Sequence, residues 1–285
     1  MSAVHYATGQ ITLGLGDAFI CGGVESMTRV PQGGFNKSPN PTLQADHEEV
    51  YTSMGMTAEN VAARCGISRQ EQEALAISSH LKASAAREAG RLKDEIVPIQ
   101  TADGYVSEDG CIRPGTNSQG LSALKSAFKE GGSVTAGTSS PLTDGASALL
   151  ICSAAFAKLH GLRPLAKIKS AAVAAVPPEV MGLGPIPASR KALARAGIDA
   201  DDLDVVEINE AFASQAVACI RELKLDERRI NLDGGGMAIG HPLGATGARL
   251  VGKAASLLAR EGGRYALATQ CIGGGQGIAT VLEAI

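Results

Sequence analysis

Three polar residues stand directly after apolar runs and beside glycines. Asn209 follows the buried-strand run Leu203–Ile208 in Val-Val-Glu-Ile-Asn-Glu-Ala-Phe. His241 lies between a strand and a helix start in Gly-Met-Ala-Ile-Gly-His-Pro-Leu-Gly-Ala-Thr-Gly. Cys271 closes a strand run in Thr-Gln-Cys-Ile-Gly-Gly-Gly-Gln-Gly. Each also has a plain structural account. Asn209 could simply cap the helix that follows it. His241 could be a satisfied turn histidine, although a helix N-terminus lowers its pKa and favours a neutral imidazole able to act as base or hydrogen-bond donor. Cys271 could be an inert strand-end thiol. Together, at equivalent ends of neighbouring strands, they predict one polar site with close backbone approach, since ligands of parallel α/β sheets bind beyond the carboxyl ends of strands.

Two other patterns carry little weight. Gly247-Ala-Arg-Leu-Val-Gly-Lys-Ala nearly matches a phosphate-loop spacing, but Ala254 replaces the Ser or Thr that would hold magnesium and the stretch reads as helix. No G-x-G-x-x-G occurs, which argues against a Rossmann dinucleotide site. The six cysteines, at 21, 65, 111, 152, 219 and 271, form no C-x-x-C pair and no zinc-ligand spacing, so no metal site is expected. With no signal peptide in view, they predict buried thiols in a reducing, cytoplasmic compartment.

The elements that must position these residues alternate from Gly145 onward. Ala146–Cys152 is strand-like, Ala154–His160 a short helix, Ala166–Val176 β-prone and Pro187–Ala196 helical. Leu203–Ile208 is a strand, 211–223 a helix, Ile230–Leu232 a short strand and Pro242–Arg260 a long helix. Tyr265–Cys271 and Gln276–Glu283 form a closing strand pair across a glycine-rich turn. The order βαβαβαβαββ predicts a mostly parallel sheet covered by helices. The first quarter partly echoes the end: Ala3–Leu15 reads as a helix and Asp17–Cys21 as a strand entering Gly22–Gly23, as Pro242–Arg260 leads into Tyr265–Cys271 and its glycines. Between them, 26–137 is more polar and irregular, with helices over Thr57–Arg64 and Arg69–Ala89, and is placed as a subdomain over the site mouth.

Composition bounds the function. The chain has 285 residues, 45% hydrophobic and 19% charged, with no apolar run long enough to span a bilayer. Twenty-six Lys plus Arg against 29 Asp plus Glu give a net charge of −3, without the basic excess of a nucleic-acid binder. Glycine is the outlier, at 35 residues where average usage of about 7% would give about 20. The excess collects beside apolar runs, at 22–23, 234–236, 240–247 and 273–277.

Asn209-Glu-Ala-Phe212, Gly240-His-Pro-Leu-Gly-Ala-Thr-Gly247 and Cys271-Ile-Gly-Gly-Gly275 resemble the three carboxyl-half signatures of the thiolases, acetyl-CoA C-acyltransferases. The resemblance extends through Gly22-Gly-Val-Glu-Ser-Met27, Ile112-Arg-Pro114, Val134-Thr-Ala-Gly137 with Asp144-Gly145, and Met181-Gly-Leu-Gly-Pro-Ile-Pro-Ala-Ser-Arg190. It implies a layered α/β fold with a complete C-terminal half and an incomplete N-terminal half. The parts would be a remnant of the N-terminal half at 1–25, a loop domain over the CoA channel at 26–137 and a C-terminal domain at 138–285.

The implied activity is a ping-pong acyl transfer that cleaves 3-ketoacyl-CoA or condenses acetyl-CoA. A nucleophilic cysteine carries the acyl group, activated by His241, while Cys271 moves the α-carbon proton. His241 and a water held by Asn209 would form one oxyanion hole, and the Gly273 backbone N–H, with that of the nucleophile, the other. Ser140 matches a pantetheine contact. Coenzyme A and acyl-CoA enter as substrates, with no permanently bound cofactor, no nucleic acid or membrane partner, and a homodimer or homotetramer at full length.

The departures from the family pattern are two. Thr138 stands where the family often has Asn, and no cysteine precedes Cys21, whereas the family nucleophile opens the helix before Gly-Gly-Val-Glu-Ser. The expectation is therefore a chain whose nucleophile lies upstream of Met1. The alternatives are a non-catalytic remnant that binds CoA esters or a thiolase subunit, and a cysteine hydrolase using Cys271 and His241. The latter fits poorly with the glycine arch after Cys271.

Overall fold

The computed structural model describes residues 1–285. In chain order its elements are α1 (Ser2–Thr12), β1 (Ala18–Ser26), α2 (Pro41–Asp46), α3 (Met54–Cys65), α4 (Arg69–Glu88), β2 (Ile99–Thr101), β3 (Gly104–Val106) and α5 (Ser118–Ser122). There follow β4 (Asp144–Cys152), α6 (Ala154–Leu159), β5 (Lys167–Ala175), α7 (Pro185–Ala196), β6 (Val205–Ile208), α8 (Ala213–Leu223), α9 (Gly236–Ile239), α10 (Leu243–Glu261), β7 (Tyr265–Ile272) and β8 (Gln276–Glu283). Local chemistry sets several boundaries. Ser68 and Glu71 close a capping box that starts α4. Pro185 opens α7, which ends on the left-handed Gly197.

Four layers result. A two-stranded antiparallel sheet, β1 with β4, lies on one side of α1 and α10. On the other side of those helices is a four-stranded sheet in the order β5-β8-β7-β6, whose far face is covered by α7 and α8. With few aromatics, the core is filled by aliphatic side chains. Val4, Leu250, Leu257, Ala266, Ala268 and Leu282 pack between the sheets, and Ala192, Leu193, Val206, Ile208, Leu267 and Cys219 on the far side. Each fully buried Leu, Ile or Val stabilises the fold by roughly 1.5–3 kcal/mol. No helix is long and apolar enough to cross a membrane.

The layered α/β architecture agrees with the sequence reading, but the strand pairing differs. Only β6 and β7 are parallel, while β5–β8 and β7–β8 are antiparallel. The reason is the connection: a parallel pair needs a crossover of about a dozen residues or more, and the short glycine turn after β7 permits only a hairpin. Gly274 and Gly275 take φ of 83° and 87°, the left-handed values that turn requires. The run at 146–152 joins β1 rather than the strands that follow it, pairing Cys21 with Leu149. The helix–strand echo thus becomes structural, with β1 held antiparallel by β4 as β7 is by β8.

The predicted strand at Ile230–Leu232 is reduced to one bridge between Val206 and Ile230. There the Asn231 side chain replaces the ladder, its Oδ1 accepting from the Ile208 N–H at 3.0 Å and its Nδ2 donating to the Ile208 carbonyl at 2.9 Å.

The irregular segment 26–137 is fastened to the layers by α3 and α4, which pack on α8, and by an ion cluster. The fully buried Asp233 carboxylate accepts from Arg91 Nε at 2.9 Å, Lys253 Nζ at 2.7 Å and Arg260 Nη1 at 2.6 Å, and Lys253 also reaches Glu95 at 2.8 Å. Burial opposes ionisation of Asp233, yet these donors outweigh it and hold its carboxyl well below the usual carboxylate range.

Candidate active site

Asn209 sits immediately beyond β6, its backbone N–H donating to the Thr269 carbonyl of β7 at 3.0 Å. It does not cap α8, whose cap position is Phe212 and receives no side-chain bond. Its side chain is fully buried, and neither Oδ1 nor Nδ2 has a protein partner. Burying an amide without partners costs roughly 1–3 kcal/mol on protein mutational scales, so this group calls for a ligand or an ordered water. Gly236 forms the wall opposite, where an added Cβ would lie 2.9 Å from Asn209 Oδ1.

That wall is fixed by Glu210. Its carboxylate accepts from Ser79 Oγ at 2.7 Å, Asn231 Nδ2 at 2.6 Å and the Met237 N–H at 3.1 Å. Ser79 Oγ in turn accepts from the Gly235 N–H at 3.0 Å. The glycine cluster at 234–236 is thus pinned to β6 and α4.

His241 lies between α9 and α10. Its backbone N–H donates to Thr143 Oγ1 at 3.2 Å, and its ring Nδ1 is 2.6 Å from Thr246 Oγ1. The Thr246 hydroxyl has one proton, which it gives to the Pro242 carbonyl at 3.0 Å in the first turn of α10. It therefore accepts from Nδ1–H, which leaves the Nε2 lone pair free. Burial, reinforced by the Arg249 charge, lowers the imidazole pKa to about 4, so the ring is neutral at pH 7. It is a base whose tautomer and orientation are set by Thr246.

Cys271, near the end of β7, is buried with Met181 and Ala211, with Met54 and Phe212 against them. Burial pushes its thiol up to about 12, so it rests protonated and can act as a proton carrier. The backbone of Gly273, two residues on, lies exposed in the turn facing Met54. The segment Ser139–Thr143 joins the parts. Ser139 bridges to Phe212, the Ser140 N–H donates to the Ala211 carbonyl at 3.0 Å, and Thr143 holds His241. Ser140, placed by sequence at a pantetheine contact, is half-buried on this strip.

The remaining cysteines lie elsewhere or are engaged. Cys21 Sγ donates to the Ala3 carbonyl in the core between the sheets, and Cys219 Sγ to the Gly182 carbonyl.

Several residues that shape the site were not singled out from sequence. Thr246 lies within the quoted histidine motif, yet its role emerges only when the first turn of α10 folds back to His241. Thr143 and Asn231 act from distant segments and no spacing signals them, while Glu210, although it stands in the Asn209 motif, takes its role from contacts with Ser79, Asn231 and Met237.

Comparison with known proteins identifies the family of the chain. The family model described as "Thiolase, N-terminal domain" matches residues 1–155, and "Thiolase, C-terminal domain" matches 162–284. The chain is 47% identical to a 3-ketoacyl-CoA thiolase of Marinobacter nauticus, an alignment covering 100% of this chain and 75% of that protein. It is 43% identical to a 3-ketoacyl-CoA thiolase of Bacillus subtilis over 99% of this chain and 76% of that one. The crystal structure of human mitochondrial 3-ketoacyl-CoA thiolase in complex with CoA superposes with a TM-score of 0.90 at 38% identity, covering 100% of this chain and 75% of the human one. Matched along both halves by family models and along its whole length by relatives, the chain belongs to the thiolases, a family of acyltransferases.

Proposed function

We propose that this thiolase acts on 3-ketoacyl-CoA, cleaving it with coenzyme A to acetyl-CoA and a shortened acyl-CoA, and running the reverse condensation. The observation that carries the proposal is the Asn209 amide, fully buried and unpartnered beside the glycine wall, where a water would complete a donor site with His241.

In the cleavage direction a thiol attacks the 3-keto carbonyl and gives its proton to His241 Nε2. The imidazolium Nε2–H and the Asn209-bound water then stabilise the enolate oxygen as the C–C bond breaks, and Cys271 protonates the enolate carbon to release acetyl-CoA. The Gly273 N–H stabilises the oxyanion at the acyl carbonyl. Coenzyme A then takes the acyl group, and its proton restores Cys271, while the imidazolium proton returns to the attacking thiol. Preorganised donors of this kind lower the barrier because they need no reorganisation, and losing one typically costs about 10²–10³ in kcat.

We assign the attacking thiol to a segment preceding Met1, where the family places it, because Cys271 serves as proton carrier and Cys21 is held against Ala3. The outer face of β1 and β4, with Ile20 and Val24 exposed at 83% and 72%, is an apolar surface suited to that segment. Residues 26–137 would cover the CoA channel, with Ser140 at the pantetheine.

Product analysis after incubation with acetoacetyl-CoA and CoA tests this. Acetyl-CoA should form from a polypeptide that includes the upstream cysteine. No cleavage by that polypeptide overturns the proposed activity, and turnover by the 285-residue chain alone overturns the assignment of the attacking thiol.

A further inference from the structure

A buried carboxylate outside the proposed chemistry joins two segments that flank the site. Glu59, in the middle of α3, accepts from the Ser133 N–H at 3.0 Å through Oε2 and from the Val134 N–H at 2.9 Å through Oε1. Gln72 of α4 adds a further tie, its Nε2 donating to Ser133 Oγ at 3.0 Å. The fit around the carboxylate is close, since a Cβ added at Gly132 would run into Glu59 Oε1.

Each joined segment carries site residues. At the start of α3, Met54 packs against Cys271, and its Sδ lies 3.7 Å from where a Cβ on Gly273 would stand. The helix itself is fixed to α8 by Ser214 Oγ, which donates to the Ala58 carbonyl at 3.0 Å. Beyond Val134 the other segment turns through 135–138, where the Thr135 N–H donates to Thr138 Oγ1 at 2.9 Å. It then runs along Phe212 and Ala211, past Ser140, to Thr143 and the His241 N–H. Val134, Thr135 and Thr138 are fully buried, so packed backbone links the Glu59 contacts to Ser140.

We propose that Glu59 is a positioning residue for coenzyme A: its carboxylate clasps the strip 133–143 to α3 and so holds Ser140 in place at the CoA channel. The proposal rests on the reading of this strip as a wall of that channel. Two buried N–H groups need two acceptors, and a carboxylate supplies them from both oxygens with no donor of its own. Without the clasp the strip leaves its bound geometry for part of the time, and affinity falls by that fraction.

Amide hydrogen exchange, calorimetry with CoA and steady-state kinetics, all on the polypeptide with the upstream cysteine, test this together. Glu59→Gln keeps the volume and one acceptor but turns an NH₂ toward the second N–H. It should speed exchange at 133–140 and raise the Kd for CoA about tenfold, as for a strip held in its bound form about a tenth of the time. The kcat for cleavage should stay within about threefold of wild type, because Thr246 still orients His241. Gly132→Ala displaces the same carboxylate from the other side and should reproduce both changes, so it carries the test if Glu59→Gln does not fold. Glu73→Gln removes the buried partner of Arg69 in α4 and should match wild type in exchange and in Kd.

Wild-type exchange in both Glu59→Gln and Gly132→Ala overturns the clasp. Faster exchange with an unchanged Kd, a loss confined to kcat, an equal rise of Kd in Glu73→Gln, or a wild type that binds no CoA overturns the positioning role. A wild type that binds CoA without cleaving 3-ketoacyl-CoA defeats the proposed function, while exchange and Kd still decide what Glu59 does.

Discussion

Thr246→Val isolates the contact that fixes the His241 tautomer. Valine nearly reproduces the shape of threonine, so packing in the first turn of α10 is retained, while the acceptor 2.6 Å from Nδ1 is lost. The Nδ1–H then either stays buried without a partner or the proton moves to Nε2, and in both cases the base is impaired. An unsatisfied buried donor costs about 1–3 kcal/mol. At about 1.4 kcal/mol per tenfold, kcat should fall roughly 5- to 150-fold. The assay is the initial rate of acetoacetyl-CoA cleavage by CoA in the polypeptide with the upstream cysteine, read beside the ¹⁵N shifts of His241. Thr246→Ser keeps the hydroxyl and should retain most of the activity. Wild-type kcat in the Val variant, or equal losses in Val and Ser, would refute the tautomer assignment.

Other perturbations probe separate parts. Asp233→Asn leaves Lys253, Arg91 and Arg260 without their buried anion. Breaking such a pair costs about 3–5 kcal/mol, and the lower end applies because Arg91 and Arg260 reach solvent; urea unfolding should show the loss. Gly236→Ala places a methyl group 2.9 Å from Asn209 Oδ1 and should lower kcat while leaving the fold intact by circular dichroism. His241→Ala should abolish turnover, whereas Cys152→Ala should perturb packing alone, and equal losses would contradict the site. The pH dependence of stability has two windows. His5 and His241, both lowered by burial to about 4 from 6.5, bind protons more readily when unfolded, so stability falls as pH drops through that range. Asp233, depressed when folded, contributes stability above its unfolded pKa of about 3.9 and loses it only as pH falls below that value.

Asn209, His241 and Cys271 stood out in the sequence because each follows an apolar run beside glycines; Asn209 and Cys271 do lie at the ends of strands, whereas His241, expected between a strand and a helix, follows the short helix α9. The sequence reading misassigned the pairing of the strands around them. A run of alternating small and apolar residues such as 146–152 suits either sheet, and only the packing of α1 and α10 decides which sheet it joins. The short strand at Ile230–Leu232 failed because the Asn231 side chain competes for the same backbone groups, a long-range effect with no local signature. The role of Thr143 was invisible for the same reason, its partner lying 98 residues away, and that of Glu210, although it stands in the Asn209 motif, depends on partners 131, 21 and 27 residues away. The capping account of Asn209 was reasonable by residue type, and the position of Phe212 at the start of α8 removes it.

The central claim is that Cys271, His241 and Asn209 form a site for α-proton chemistry on a CoA thioester. Deuterium exchange into the methyl group of acetyl-CoA in D₂O, followed by mass spectrometry in the polypeptide with the upstream cysteine, tests it most directly. The account predicts exchange in the wild type and in Cys152→Ala, and its loss in Cys271→Ala. Exchange at the wild-type rate in Cys271→Ala would contradict it.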